Sequence, residues 1–114
     1  MLWSARIKLK VMTLYGNING GNASKLSGSQ GWTCVKERAG LYVIKFEPGF
    51  DEIPALTVTQ NYPNWEGNGG NGNTKDNAVI YQLTATQAKI VTGGSDGSLG
   101  DRNFSFIAIG QGNL

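Results

Sequence analysis

The sequence predicts an all-β fold, an antiparallel β-sandwich of jelly-roll-like form with about seven or eight short strands. Three features predict it. Apolar stretches are short and are separated by clusters of Gly, Asn and Ser. Within them Val, Ile, Thr, Tyr, Phe and Trp dominate, side chains that fit a pleated, half-buried surface. No window long enough for a helix places apolar residues at i, i+3, i+4 and i+7 without an interrupting glycine. The 114 residues amount to a single domain, residues 1–114, with no internal repeat.

Residues 5–15 alternate, with Ile7, Leu9 and Val11 on one side and Arg6, Lys8 and Lys10 on the other. That period of two predicts a half-buried amino-terminal strand or arm. It also separates the segment from a signal peptide, which needs an unbroken apolar stretch after its basic start. Met12 offers a second start, which would leave the residues before it as an arm. Further strands are expected at Trp32–Lys36, Leu41–Phe46, Leu56–Asn61, Ala78–Thr84, Lys89–Thr92 and Phe104–Gly110. Glu37-Arg38-Ala39-Gly40 reads as a tight hairpin, because Gly40 can take a positive φ. Ala85-Thr86-Gln87-Ala88 reads as another short turn. Between Glu47 and Pro54, Phe50 and Ile53 are expected to tuck beneath a sheet edge. Two Gly/Asn-rich loops, 17–31 and 63–77, are long for a compact domain, a sign of functional or mobile segments.

Composition removes several function classes. There is no histidine, so a Ser-His-Asp triad, a Cys-His pair and His-ligated metal are absent. One cysteine, Cys34, makes neither an internal disulfide nor a thiolate cluster, and reads as a small core hydrophobe. A formal charge of +2 from ten basic and eight acidic residues lacks the basic face of a nucleic-acid binder. No apolar run approaches the roughly 20 residues of a membrane-spanning helix. Glu47, Asp51 and Glu52 read as a solvated loop and not as a glycosidase pair. No catalytic residue is assigned.

Two strands stand out. Leu41–Phe46 is apolar on both faces except at Lys45, and residues 104–109 are so except at Ser105. A simple sandwich strand shows a polar outer face. A neighbouring subunit resting on Tyr42, Phe46, Phe104 and Ile109 is one cover; a well-filled monomer core is the other.

Gly28-Ser29-Gln30-Gly31-Trp32-Thr33-Cys34, Gly40-Leu41-Tyr42-Val43-Ile44-Lys45-Phe46, Phe50 with Pro54-Ala55-Leu56-Thr57-Val58-Thr59, and Asp101–Gly110 follow one another in an order that resembles a known family. It is the small β-sandwich at the carboxyl end of phage tail-fibre and collar-like proteins and related bacterial surface proteins. The stretch from Gly31-Trp32-Thr33-Cys34 to Gly40–Phe46 also resembles the first half of complement-type and tumour-necrosis-factor-like globular heads, and the Phe50–Thr59 segment resembles a core strand of H-type lectins. The likeness covers residues 28–110. It implies a homotrimer that binds ligands in loops or subunit clefts, in a virion or at a cell surface. The chain is shorter than the complement-type heads and lacks part of their second half. The lectins' sugar-binding residues do not map onto it.

Two candidate sites follow from the loops. Tyr62, Asn64, Trp65 and Glu66 combine aromatic rings with polar groups, the combination that stacks on a sugar and bonds its hydroxyls. The plain alternative has Trp65 folded back to cap the sandwich. Asp96 and Asp101, in a glycine-rich turn with spare hydroxyls and carbonyls, are the candidate ligands for Ca2+, the one cofactor considered. The plain alternative is a hairpin using Asp and Gly for their turn conformations. The expected function is a non-enzymatic oligomeric module recognising a surface glycan or protein ligand. The competing reading is a structural module that trimerises or caps a fibre and has no ligand of its own.

Overall fold

The computed structural model describes residues 10–61 and 73–113. Eight strands run in order: β1 Val11–Ile18, β2 Lys25–Gly28, β3 Trp32–Arg38, β4 Leu41–Phe46, β5 Ala55–Gln60, β6 Asn77–Leu83, β7 Gln87–Gly93 and β8 Phe104–Gln111. They form two four-stranded antiparallel sheets, β2-β1-β8-β5 and β3-β4-β7-β6, with no helix among the described residues. The all-β sandwich read from the sequence is the fold. Its jelly-roll character lies in nested pairings, in which β1 joins β8 in one sheet and β4 joins β7 in the other.

Alternation decides what each strand buries. Met12, Leu14 and Ile18 of β1 and Phe104, Phe106 and Ala108 of β8 point inward. They meet Tyr42, Ile44 and Phe46 of β4 and Ala88 and Ile90 of β7 in one core. Aromatic edges lock the layers. Trp32 sits edge-on to Phe106 with centroids 5.0 Å apart, and Phe46 to Phe50 at 5.2 Å. Gly40 closes the β3–β4 turn at φ 73°. At the β6–β7 turn the Thr84 hydroxyl accepts hydrogen bonds from the Thr86 and Gln87 amides.

Several expectations are corrected. Tyr42, Phe46 and Phe104 face the chain's own core at 0, 2 and 0 % exposure, so they cannot carry a subunit contact. The outer residues of β4, Leu41 and Val43, are also covered, because β4 lies between β3 and β7 and Val35 and Val91 pair beside them. Ile109, by contrast, is 45 % exposed. Val11 lies on the open side of β1, and the buried set is the even-numbered one, opposite to the expected parity. Ile53 is exposed, whereas Phe50 is buried as expected. Strand β1 runs on to Ile18, and β2 lies inside the expected loop 17–31. All four residues of β2 are exposed, so no apolar alternation announced it.

Candidate functional site

The described parts of the loops after β1, β3, β5 and β7 meet at one end of the sandwich. Asp101 is the latch there. Its Oδ1 accepts from the Gly40 amide at 2.9 Å and its Oδ2 from Lys36 Nζ at 2.8 Å, while the Tyr42 hydroxyl lies 3.3 Å from Oδ1. The same hydroxyl donates to the Gly20 carbonyl at 2.7 Å, and Lys36 also reaches the Gly21 carbonyl. Gly20 N–H donates to Asn103 Oδ1 at 2.8 Å. Gln60 binds Gly93 through both ends of its amide, tying β5 to β7 across the sandwich. Burial pushes the Tyr42 phenol up to about 12, so it stays a neutral donor.

The Lys36 hydrogen bond, followed by those from Gly40 and Tyr42, outweighs the effect of burial and holds Asp101 below its ordinary carboxylate value. The unfolded chain therefore takes up the proton more readily. The stabilisation is complete above the ordinary value of 3.8 and is lost as pH falls through the lower folded one. Melting temperature is expected to drop below about pH 4, and Asp101→Asn to flatten that fall, in thermal melts followed by circular dichroism.

The two carboxylates offered as Ca2+ ligands are engaged separately. Asp96 Oδ1 accepts from the Ser98 amide and hydroxyl, the Asp-turn alternative, and Asp101 is held as above. Among the described residues no group of three or more acidic or thiol side chains gathers where a metal could sit. Cys34 is packed against the core, and burial pushes its thiol up to about 12, away from reactivity at neutral pH. Glu47, Asp51 and Glu52 are exposed.

An open cavity of about 200 Å3 lies at the same end, lined by Gln60, Asn61, Asn73, Thr74 and Asp76. These residues are the roots of the loop singled out in the sequence. Tyr62, Asn64, Trp65 and Glu66 themselves lie outside the described residues. The Asp76 side chain is 8 % exposed, with Oδ2 accepting from the Asn73 amide and lying 3.9 Å from Arg102. Asn61 Oδ1 and Arg102 Nε are buried and have no hydrogen-bond partner among the described residues. Buried polar atoms are normally satisfied, and the exceptions need a reason. Among the described residues the site therefore combines asparagine amides, a carboxylate and a threonine hydroxyl on its wall with a buried acceptor and a buried donor that find no partner. Such a set suits a ligand that both gives and takes hydrogen bonds, as vicinal hydroxyls do. Sequence reasoning missed Asn61, Asp76 and Arg102. A second open groove, about 290 Å3, runs over Val79, Val91 and Leu99 beside the 93–99 turn.

No family model matches the chain, and no curated protein does. A solved structure is similar: the phiAB6 tailspike in complex with three-repeated oligosaccharides of Acinetobacter baumannii surface polysaccharide. The two share a fold. The TM-score is 0.52 at 18 % identity, over 88 % of this chain and 20 % of the tailspike chain. This chain thus matches about a fifth of that protein's length, and at this identity the likeness speaks for the fold alone.

Proposed function

We propose that this domain is a non-enzymatic, oligomeric module of a phage tail fibre or spike, or of a comparable surface fibre, that recognises a surface glycan. The carrying observation is the polar cavity at the loop end, lined by Asn61 and Asp76, where Asn61 Oδ1 and the neighbouring Arg102 Nε are buried without partners among the described residues. A pyranose ring entering the cavity would set its hydroxyls against the Asn61, Asn73, Thr74 and Asp76 side chains that line it. The tailspike neighbour, itself crystallised with oligosaccharides, supports the setting in a virion. A homotrimer suits such a site, since avidity multiplies weak single-site affinity.

The test is a glycan array followed by calorimetry on the best hit. Asn61→Ala and Asp76→Ala are each expected to weaken binding about tenfold, a loss of roughly 1.4 kcal/mol in hydrogen bonding. Absence of saturable binding to any polysaccharide fragment would overturn the reading. A second reading, a scaffold that only assembles or caps a fibre, is favoured by the open apolar face of the β2-β1-β8-β5 sheet.

A further inference from the structure

We propose that Asn19 is a self-modification site that the folded chain keeps shut, and that opening of the loop after β1 exposes it to irreversible deamidation. Among the described residues Asn19 is the one asparagine followed by glycine. The pairing matters chemically. The backbone nitrogen after an asparagine can attack the side-chain amide carbon, and glycine has no Cβ to stand in the way. A bond then forms between Gly20 N and Asn19 Cγ, and the side-chain nitrogen leaves as ammonia, taking the Gly20 proton. The five-membered imide left behind is opened by water at either carbonyl. The product is an aspartate or an isoaspartyl linkage. Water is the only co-reactant.

The fold withholds each reacting part. Gly20 is buried, and its N–H donates to Asn103 Oδ1 at 2.8 Å, so the nucleophile keeps its proton. Asn19 Oδ1 accepts from the Gly21 amide at 2.8 Å, which fixes the side chain that would be attacked. The main chain is pinned as well: Asn19 N–H donates to the Ser24 carbonyl, and the Asn19 carbonyl accepts from the Ala23 amide. A Cβ on Gly20 would overlap the backbone of Arg102, so the peptide has little room to rotate into line for attack. Two further bonds hold the loop down, from the Tyr42 hydroxyl to the Gly20 carbonyl and from Lys36 to the Gly21 carbonyl. Ala23 works against them, since it is held at φ 65°, where a side chain is strained. The reaction therefore runs from the open loop, at a rate set by the fraction of time the loop spends open. An isoaspartyl linkage lengthens the main chain by one carbon. Gly20 then no longer meets Asn103 and Tyr42 together, so an opening that reacts is permanent.

Peptide mapping by mass spectrometry, during incubation of the full chain at mildly alkaline pH, tests this. Asn19 in the folded protein is expected to convert at least tenfold more slowly than in a synthetic peptide of residues 15–25, because only the open fraction reacts. Asn103→Ala removes the acceptor of the Gly20 N–H and should speed conversion about tenfold with the circular dichroism unchanged. Hydrogen exchange at the Gly20 amide should accelerate in step, which links the chemistry to loop opening. If Asn103→Ala does not fold, Tyr42→Phe serves instead, by freeing the Gly20 carbonyl. The converted protein carries an added negative charge, so ion exchange separates it, and it should melt below the unconverted protein. Conversion in the wild type at the peptide's rate would overturn the proposal. So would a folded variant with faster Gly20 exchange and unchanged conversion, or a converted protein with an unaltered melting temperature.

Discussion

Replacing Trp32 with alanine is expected to destabilise the domain by about 3–5 kcal/mol, the range for a buried aromatic truncated in a packed core. Trp32 is 4 % exposed, meets Phe106 edge-on and donates from Nε1 to the Tyr15 carbonyl at 3.0 Å. Lys25 Nζ lies 4.2 Å from the centre of its ring, capping the outer side. The indole is seated against Gly16, where a Cβ would overlap the ring itself. Gly16→Ala is therefore expected to cost about 1–3 kcal/mol by overpacking. The two changes should not add. With the indole gone, the methyl at position 16 enters vacated space, so the double variant should be about 1 kcal/mol or more better than the sum. Urea denaturation of the four chains measures the cycle. Strict additivity would mean that the ring does not press on Gly16.

Gly20→Ala is expected to cost about 3 kcal/mol, the upper end of overpacking, because the obstacle cannot rotate away. A Cβ there would overlap the backbone carbonyl of Arg102. Relieving that overlap pulls Gly20 from the Tyr42 hydroxyl and from Asn103, both of which it bonds. It also displaces Arg102, whose guanidinium faces Asp76. The substitution should therefore lower both the denaturation midpoint and, in the folded fraction, the affinity for a sugar. Tyr42→Phe isolates the hydroxyl and should cost only about 1–2 kcal/mol. An unchanged midpoint in Gly20→Ala would show that this loop yields easily.

The elements legible in the sequence are those where apolar period and turn chemistry agree. Strand β4 spans Leu41–Phe46 as expected, because Gly40 fixes its start and the Glu47–Pro54 connection its end. Strand β2 was illegible because Lys25, Leu26, Ser27 and Gly28 bury nothing; pairing with β1 creates it. For β8 the alternation yields two apolar sets, Phe104, Phe106 and Ala108 against Ile107 and Ile109. Nothing local says which turns inward. The larger aromatic set wins because it fills the space opposite Trp32 and Tyr42. In β4 the same ambiguity has another outcome, since its outer residues gain shelter from strands on both sides. The site was partly legible. The loop was marked by its glycines and asparagines, but Asn61, Asp76 and Arg102 meet only through the topology, and Arg102 stands 41 positions from Asn61.

Strand β8 sits between β1 and β5 and is the hydrogen-bonded neighbour of both. Neither of those two can join the other without it. A nascent chain that has emerged only as far as Arg102 thus holds half a sandwich, with Met12, Leu14, Leu56 and Val58 lacking the wall they pack against. The domain closes in a late step that waits for the last strand to arrive. Long-range β-pairing of this kind is slow, and the exposed intermediate is the stage most open to mispairing with a sister chain. Synthesis of several chains in close company would make correct closure and mispairing compete for the same strands.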